Sequence, residues 1–174
     1  MRILDLGCGN RKEKGAVGID ISRDTKADII WDLNAFPYPL QDDEFDIVIC
    51  YDILEHLTDT VRVMEEIHRI AKPNALVEIR VPHYACWWGW SDPTHKKLFS
   101  PFSFEHFLEN RPHHHYTKIS FKLIRRKIDF HRLFKWTLIE FLANRFPVRY
   151  EQFFAYFIRP QNIHISLVVL KDSS

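Results

Sequence analysis

Cysteine is scarce in this chain: Cys8, Cys50 and Cys86 are scattered over 174 residues. That excludes a disulfide framework and a zinc knuckle, which need paired thiols, and fits a reducing cytoplasm. No stretch reaches the roughly 18 uncharged apolar residues of a membrane-spanning helix. A basic, apolar leader is also missing, and with Met1 two residues from the first apolar run the sequence argues against secretion. Charge of one sign is not in excess, the formal net charge being +1. Tight nucleic-acid binding usually shows a basic excess across the whole domain, so no nucleic acid is expected as a partner. What is present is apolar and aromatic: 46% hydrophobic and 14% aromatic residues exclude disorder and give one domain, residues 1–174, a sizeable core. The charges that exist are divided. Residues 1–100 carry twelve basic and seventeen acidic side chains, whereas residues 101–174 carry twelve and six, so the two parts face different partners or each other.

Glycine is rare too, five in all, and two of them close the first apolar run. Ile3, Leu4 and Leu6 have the length and character of an inner parallel strand, and Gly7-Cys8-Gly9 reads as a turn where a ligand can approach bare backbone. Glycine there permits positive φ and leaves free N–H groups within reach of a polar ligand. A second run, Val17-Gly18-Ile19, ends in Asp20, a carboxylate placed to accept from both hydroxyls of a ribose. Together these predict a nucleoside site. The dinucleotide fingerprint G-x-G-x-x-G would place glycine at position 12, which is Lys12, so a nicotinamide cofactor is disfavoured.

Leu4-Asp5-Leu6-Gly7-Cys8-Gly9 followed by Gly18-Ile19-Asp20 resembles the first two motifs of the class I S-adenosylmethionine-dependent methyltransferases, and the resemblance covers residues 1–100 and the last strand. It implies that Asp5, Gly7, Cys8 and Gly9 line the methionine end of S-adenosyl-L-methionine and that Asp20, with Ile21 beside it, holds the ribose. Asp32 and Leu33, leaving the third apolar run Asp28–Trp31, would accept from the adenine amino group and pack on its ring. Tyr51-Asp52-Ile53-Leu54-Glu55-His56-Leu57 falls where the family places residues beside the transferable methyl. The Asn/Asp-Pro-Pro-Tyr/Phe tetrad of base methylators is absent there, and the Glu55-His56-Leu57 form resembles the branch acting on small molecules, lipids and sugars. Glu55 and His56 can serve as acid and base, or simply start a helix.

The links after Gly9 and after Ser22 are too short for full crossover helices. The order of elements therefore predicts an α/β, Rossmann-like doubly wound seven-stranded mixed sheet with reduced early helices. One sheet face near the start is left for the C-terminal segment or a partner chain to cover. A helix follows at Thr58–Ala71, with Val61, Met64, Ile67 and Ile70 on one face, Thr58 as N-cap and Pro73-Asn74 as stop. The fifth strand is predicted over Ala75–Val81, a short helix over Phe99–Leu108, a half-wet strand over Thr117–Phe130 and the last strand over Asn162–Leu170. His113-His114-His115 reads as a solvated loop.

The segment after the fifth strand is dense in chemistry. His83, Asp92 and His95 with Trp87, Trp88 and Trp90 suggest a substrate pocket, with His83 or His95 as a general base oriented by Asp92 for a hydroxyl nucleophile. Two other readings stay open: a packed aromatic lid, and a metal set built from the same three residues. Residues 131–159 form a helical, aromatic and basic insertion before the last strand. It is a candidate for peripheral membrane contact with a lipid-linked substrate, for a homodimer face, or for a cover on the sheet. Read as a whole, the sequence predicts methyl transfer to a small-molecule, glycan or lipid acceptor, at oxygen. A non-catalytic S-adenosylmethionine-binding partner or regulatory domain is the alternative.

Overall fold

The apolar runs of the first half form the parallel part of one sheet. The computed structural model describes residues 1–110, 117–135 and 137–171; His113–His115 and Trp136 lie outside them. In chain order the elements are β1 (Ile3–Leu6), β2 (Val17–Asp20), β3 (Ile29–Ile30), β4 (Phe45–Tyr51), α1 (Thr60–Ile70) and β5 (Ala71–Pro82). They are followed by β6 (Ser120–Asp129), α2 (Leu138–Arg145), α3 (Pro147–Phe153) and β7 (Asn162–Leu170). The strands lie in the order 3-2-1-4-5-7-6. β1 to β5 pair in parallel, and β7 runs antiparallel to both its neighbours. This is the Rossmann-like, seven-stranded mixed sheet expected, with α2 and α3 as the insertion between the last two strands.

The early crossover helices are absent, and polar contacts do their work. Asp5 Oδ2 accepts from the Glu13 amide at 2.8 Å, folding residues 9–13 back onto β1. Lys12, at the place of the third fingerprint glycine, pairs with Asp28 at 2.7 Å, and Asp28 Oδ2 also accepts from the Gly18 amide at 2.7 Å. The lysine stem and the Cys8 thiol cover Gly18 so closely that a Cβ there would lie 2.5 Å from Lys12 Cδ and 2.7 Å from Cys8 Sγ.

α1 is capped by Asp59, whose Oδ1 accepts from the Arg62 amide at 3.1 Å, and not by Thr58, which is held by Asn34 instead. It buries Val63, Met64, Ile67 and Ile70, with Val61 only partly covered. The helix ends at Ile70, and β5 begins at once. Pro73 and Asn74 therefore fall inside the strand, where its register with β4 shifts and Asn74 takes φ +64°. Phe99–Leu108 is not a full helix. Phe99 is drawn into a bridge with His83 and Leu108 into one with Phe121, leaving a single 3-10 turn at Glu105–Phe107 that still buries Phe104 and Phe107. β6 is an edge strand with a register shift between Leu123 and Arg125 that turns Ile124 out to solvent, a disruption of the kind that blunts edges.

The face beside β1 and β2 is covered by the chain that follows β3 and β4. Leu33, Tyr38, Leu54 and Leu57 join Leu4, Leu6 and Ile19 in the main core. The C-terminal segment does not reach it, because α2 packs on β6 at the opposite edge, around Ile128, Phe130, Ala143 and Tyr150.

Candidate active site

Two cavities open at the carboxyl ends of the parallel strands and meet at Gly7. The larger, about 400 Å³, is lined by Asp5, Gly7, Cys8, Gly9, Arg11, Glu13, Tyr51, Asp52 and Arg80, so it presents charges of both signs. The smaller, about 190 Å³, is lined by Gly7, Asp20, Ile21, Trp31, Asp32, Leu33, Asn34, Ile53, His56 and Leu57: apolar walls with carboxylates among them. Open α/β sheets place ligands at this end because the strand-following loops converge there.

Gly7 and Gly9 have φ +69° and +49°, conformations that L side chains rarely adopt. A Cβ on Gly7 would come within 2.4 Å of Ile53 Cγ1, whereas one on Gly9 would meet no protein atom within 4 Å, at the edge of the larger cavity. The Gly9 amide donates to Asp20 Oδ2 and the Ser22 amide to Asp20 Oδ1, both at 2.9 Å. Asp20 is thus fixed along the wall of the smaller cavity, and each oxygen keeps a lone pair for a further donor. Burial raises the Asp5 carboxyl above its usual range. Burial also pushes the Cys8 thiol up to about 11, so this cysteine is a wall and not a nucleophile.

Arg80 and Asp52 were not singled out by the sequence. Arg80 Nε donates to Asp52 Oδ1 at 3.0 Å, a second guanidinium nitrogen bonds Oδ2, and the cation lies 4.9 Å from the Tyr51 ring centroid. The available signal was a cation two residues before the carboxyl end of β5.

The structure separates His83 from Asp92 and His95, the other two residues proposed for catalysis. His83 is fully buried; its Nδ1 accepts from the Ala85 amide at 3.1 Å, so Nε2 donates to Glu151 Oε1 at 2.8 Å. It ties the end of β5 to α3. His95 turns the other way, Nδ1 donating to the Gly89 carbonyl at 2.7 Å, and packs edge-on to His56 with ring centroids 4.6 Å apart. Asp92 accepts from the Thr94 amide and hydroxyl, which hold its carboxyl below the usual range, and lies 3.8 Å from His95 Nε2. The amides of Lys96 and Lys97 donate to the Glu55 carbonyl, so the 92–97 loop is laid against the turn after β4. That contact brings Glu55, His56 and His95 together. Burial pushes the Glu55 carboxyl up to about 8 and, with His95 alongside, holds the His56 imidazole below its usual value. Of the tryptophans, Trp87 and Trp90 are 67% exposed, so they do not form a packed lid.

A glycine turn after β1, a carboxylate closing β2 and the 3-2-1-4-5-7-6 order define a class I methyltransferase fold with its cofactor cleft. Residues 1–111 match the family described as methyltransferase domain, and the chain belongs to that family. Among solved structures it is similar to a SAM-dependent methyltransferase from Archaeoglobus fulgidus, with 21% identity over 96% of this chain and 85% of that one and a TM-score of 0.63. It is also similar to the YcgJ protein of Bacillus subtilis, with 14% identity over 98% and 92% and a TM-score of 0.59. A third is Haemonchus contortus phosphoethanolamine N-methyltransferase 2, bound to phosphomonomethylethanolamine and S-adenosylhomocysteine. It shows 18% identity over 99% of this chain and 49% of that one, with a TM-score of 0.59. No curated protein matches the chain in sequence.

Proposed function

We propose that the chain binds S-adenosyl-L-methionine across the two cavities and transfers its methyl group to an oxygen of an amphiphilic, lipid-like acceptor. The observation that carries the cofactor reading is the junction at Gly7 of a two-signed cavity with an apolar, carboxylate-bearing one. An amino-acid tail needs both signs, which Asp5, Glu13 and Arg80 offer. A ribose needs the paired acceptors of Asp20, and an adenine ring needs apolar walls such as Ile21 and Leu33 with Asp32 as acceptor. The glycine turn leaves the backbone bare where a side chain would obstruct the ligand.

The bound cofactor supplies an electrophilic methyl on a sulfonium. The chain's part is to exclude water, hold the acceptor in line and take the hydroxyl proton. His95 suits the last task, since Nδ1–H is held by Gly89 and the Nε2 lone pair is left. Titration calorimetry with S-adenosyl-L-methionine tests the cofactor, and methyl transfer over a panel of lipid and sugar alcohols tests the acceptor. Binding without transfer to any of them would favour the non-catalytic alternative.

The acceptor class is drawn from the insertion. Leu138, Phe141, Phe146, Phe153, Tyr156 and Phe157 are exposed, Phe157 by 86%, and Arg132, Lys135, Arg145, Arg149 and Arg159 are exposed around them. Among the described residues no helix is long and apolar enough to cross a membrane. An aromatic face rimmed by cations complements an anionic lipid surface. Sedimentation with anionic vesicles should carry down the protein and not Phe141→Ser/Phe157→Ser. A concentration-dependent dimer lost in that variant would show instead that a second copy covers the face.

A further inference from the structure

Both carboxyl oxygens of Glu55 are buried and neither has a hydrogen-bond partner, in a residue only 1% exposed. A carboxyl group stripped of water with nothing in exchange is costly, and such an orphan calls for a missing partner. Asp52, Arg80 and Asp92 act on it electrostatically, and two histidines lie close by. One ligating atom each from Glu55, His56 and His95 lie within 4.8 Å of one another.

We propose that Glu55, His56 and His95 form a binding site for a divalent transition-metal ion of the zinc class. The hydrogen bonds behind the histidines prepare both for it. Thr94 Oγ1 lies 2.6 Å from Asp92 Oδ1, which as a carboxylate can only accept, so the hydroxyl proton points there. The same oxygen lies 2.9 Å from His56 Nδ1 and must accept from it, which leaves His56 Nε2 unprotonated. His95 Nδ1 donates to the Gly89 carbonyl, so in the neutral ring Nε2, 3.8 Å from Asp92 Oδ2, carries the lone pair. Two imidazoles whose Nδ1–H groups are anchored to oxygen, each keeping an Nε2 lone pair when neutral, match the outer-shell pattern that orients zinc ligands, and the ion would hold the Glu55 carboxyl in its ionised form.

Tetrahedral bonds of about 2.0–2.1 Å place ligand atoms about 3.3 Å apart, so the three side chains need only close in by about an ångström or less each. A two-histidine, one-carboxylate set leaves at least one position for water or an acceptor oxygen, as catalytic and not structural sites do. His56 also lines the smaller cavity, which gives the ion a way in. The site deepens the methyl-transfer reading and changes the part of His95 in it: with Nε2 on the ion the imidazole holds the metal instead of taking the proton, and an oxygen bound to the ion loses its proton more readily than one beside a free imidazole. The binding test does not depend on that reading.

The probe is Co²⁺, whose visible d–d bands report coordination. It is titrated into untagged protein carrying His113→Ala/His114→Ala/His115→Ala, so that the histidine run contributes nothing. We expect one equivalent to give the intense bands of four- or five-coordinate cobalt, bleached by Zn²⁺. Glu55→Gln and His95→Ala should each weaken binding at least tenfold, and Thr94→Val, which frees His56 Nδ1, by about tenfold. Far-UV circular dichroism and calorimetric binding of S-adenosylhomocysteine identify variants that remain folded; if Glu55→Gln does not, His95→Ala and Thr94→Val decide. No stoichiometric cobalt spectrum, or one unchanged in the folded variants, overturns the site. A normal cobalt site in a protein that fails to bind S-adenosylhomocysteine would overturn the cofactor reading and leave this one standing.

Discussion

Adding one methyl group at Gly7 or at Gly9 separates the two tasks of the turn after β1. Both residues have positive φ, and an alanine in that region costs about 1–2 kcal/mol. At Gly9 that is the whole cost to the fold, because the new Cβ meets no protein atom within 4 Å. For a domain of this size it lowers Tm by about 2–8 °C. At Gly7 the Cβ would also lie 2.4, 2.5 and 2.8 Å from Cγ1, Cδ1 and Cβ of Ile53. Overpacking of that kind adds about 1–3 kcal/mol, for a sum of about 2–5 kcal/mol. Ile53→Ala removes the two nearest of these atoms, so Gly7→Ala/Ile53→Ala should be less destabilised than the two single changes sum to, by about 1 kcal/mol or more. Affinity behaves differently. The Gly9 methyl fills space beside the larger cavity, so Gly9→Ala should lose at least tenfold in binding S-adenosylhomocysteine, about 1.4 kcal/mol, while remaining folded at 25 °C. Urea melts and titration calorimetry on the wild type and the four variants measure both quantities. Wild-type affinity in folded Gly9→Ala would refute the placement of the ligand, and strict additivity at Gly7 and Ile53 would refute the packing argument.

Asp20→Ala leaves the Gly9 and Ser22 amides without their acceptor and should cost about 1–3 kcal/mol in urea melts, with a larger proportional loss of cofactor affinity than Asp32→Ala shows by calorimetry. His83→Ala breaks a buried bond to Glu151 and should lower stability by about 1.5–3 kcal/mol; if His83 is structural, Glu151→Gln will retain turnover with a lowered Tm. The Gly18 amide and Lys12 hold the Asp28 carboxyl below its ordinary value, so its contribution to stability is complete above about pH 5 and is lost as pH falls through the lowered folded value. The difference between wild type and Asp28→Asn in acid titrations followed by circular dichroism should therefore be constant near neutrality and vanish in acid; a difference that grows on acidification would contradict the assignment.

Local chemistry was enough to read the sheet and its glycine turn. Buried strands are nearly continuous apolar runs, and glycine adopts the positive φ of residues 7 and 9 most readily, so β1, β2, β4 and β7 and the Gly7, Gly9 and Asp20 cluster followed from short windows of sequence. The same windows misplaced the start of β5, at Ala75 instead of Ala71, because the pairing of Ala71 with β4 outweighs the turn preference of Pro73 and Asn74. They also grouped His83 with His95, twelve positions apart, although one is turned toward α3 and the other toward the turn after β4.

Which charged groups would meet was settled by tertiary contacts. Lys12 finds Asp28, Arg80 finds Asp52, and His95 comes to Glu55 and His56 through backbone bonds from Lys96 and Lys97 to Glu55. Periodicity tells which face of a segment is buried, since burial depends on each residue's own chemistry. It is silent on which distant loop lies against that segment, because this depends on the shape left by everything else that has packed.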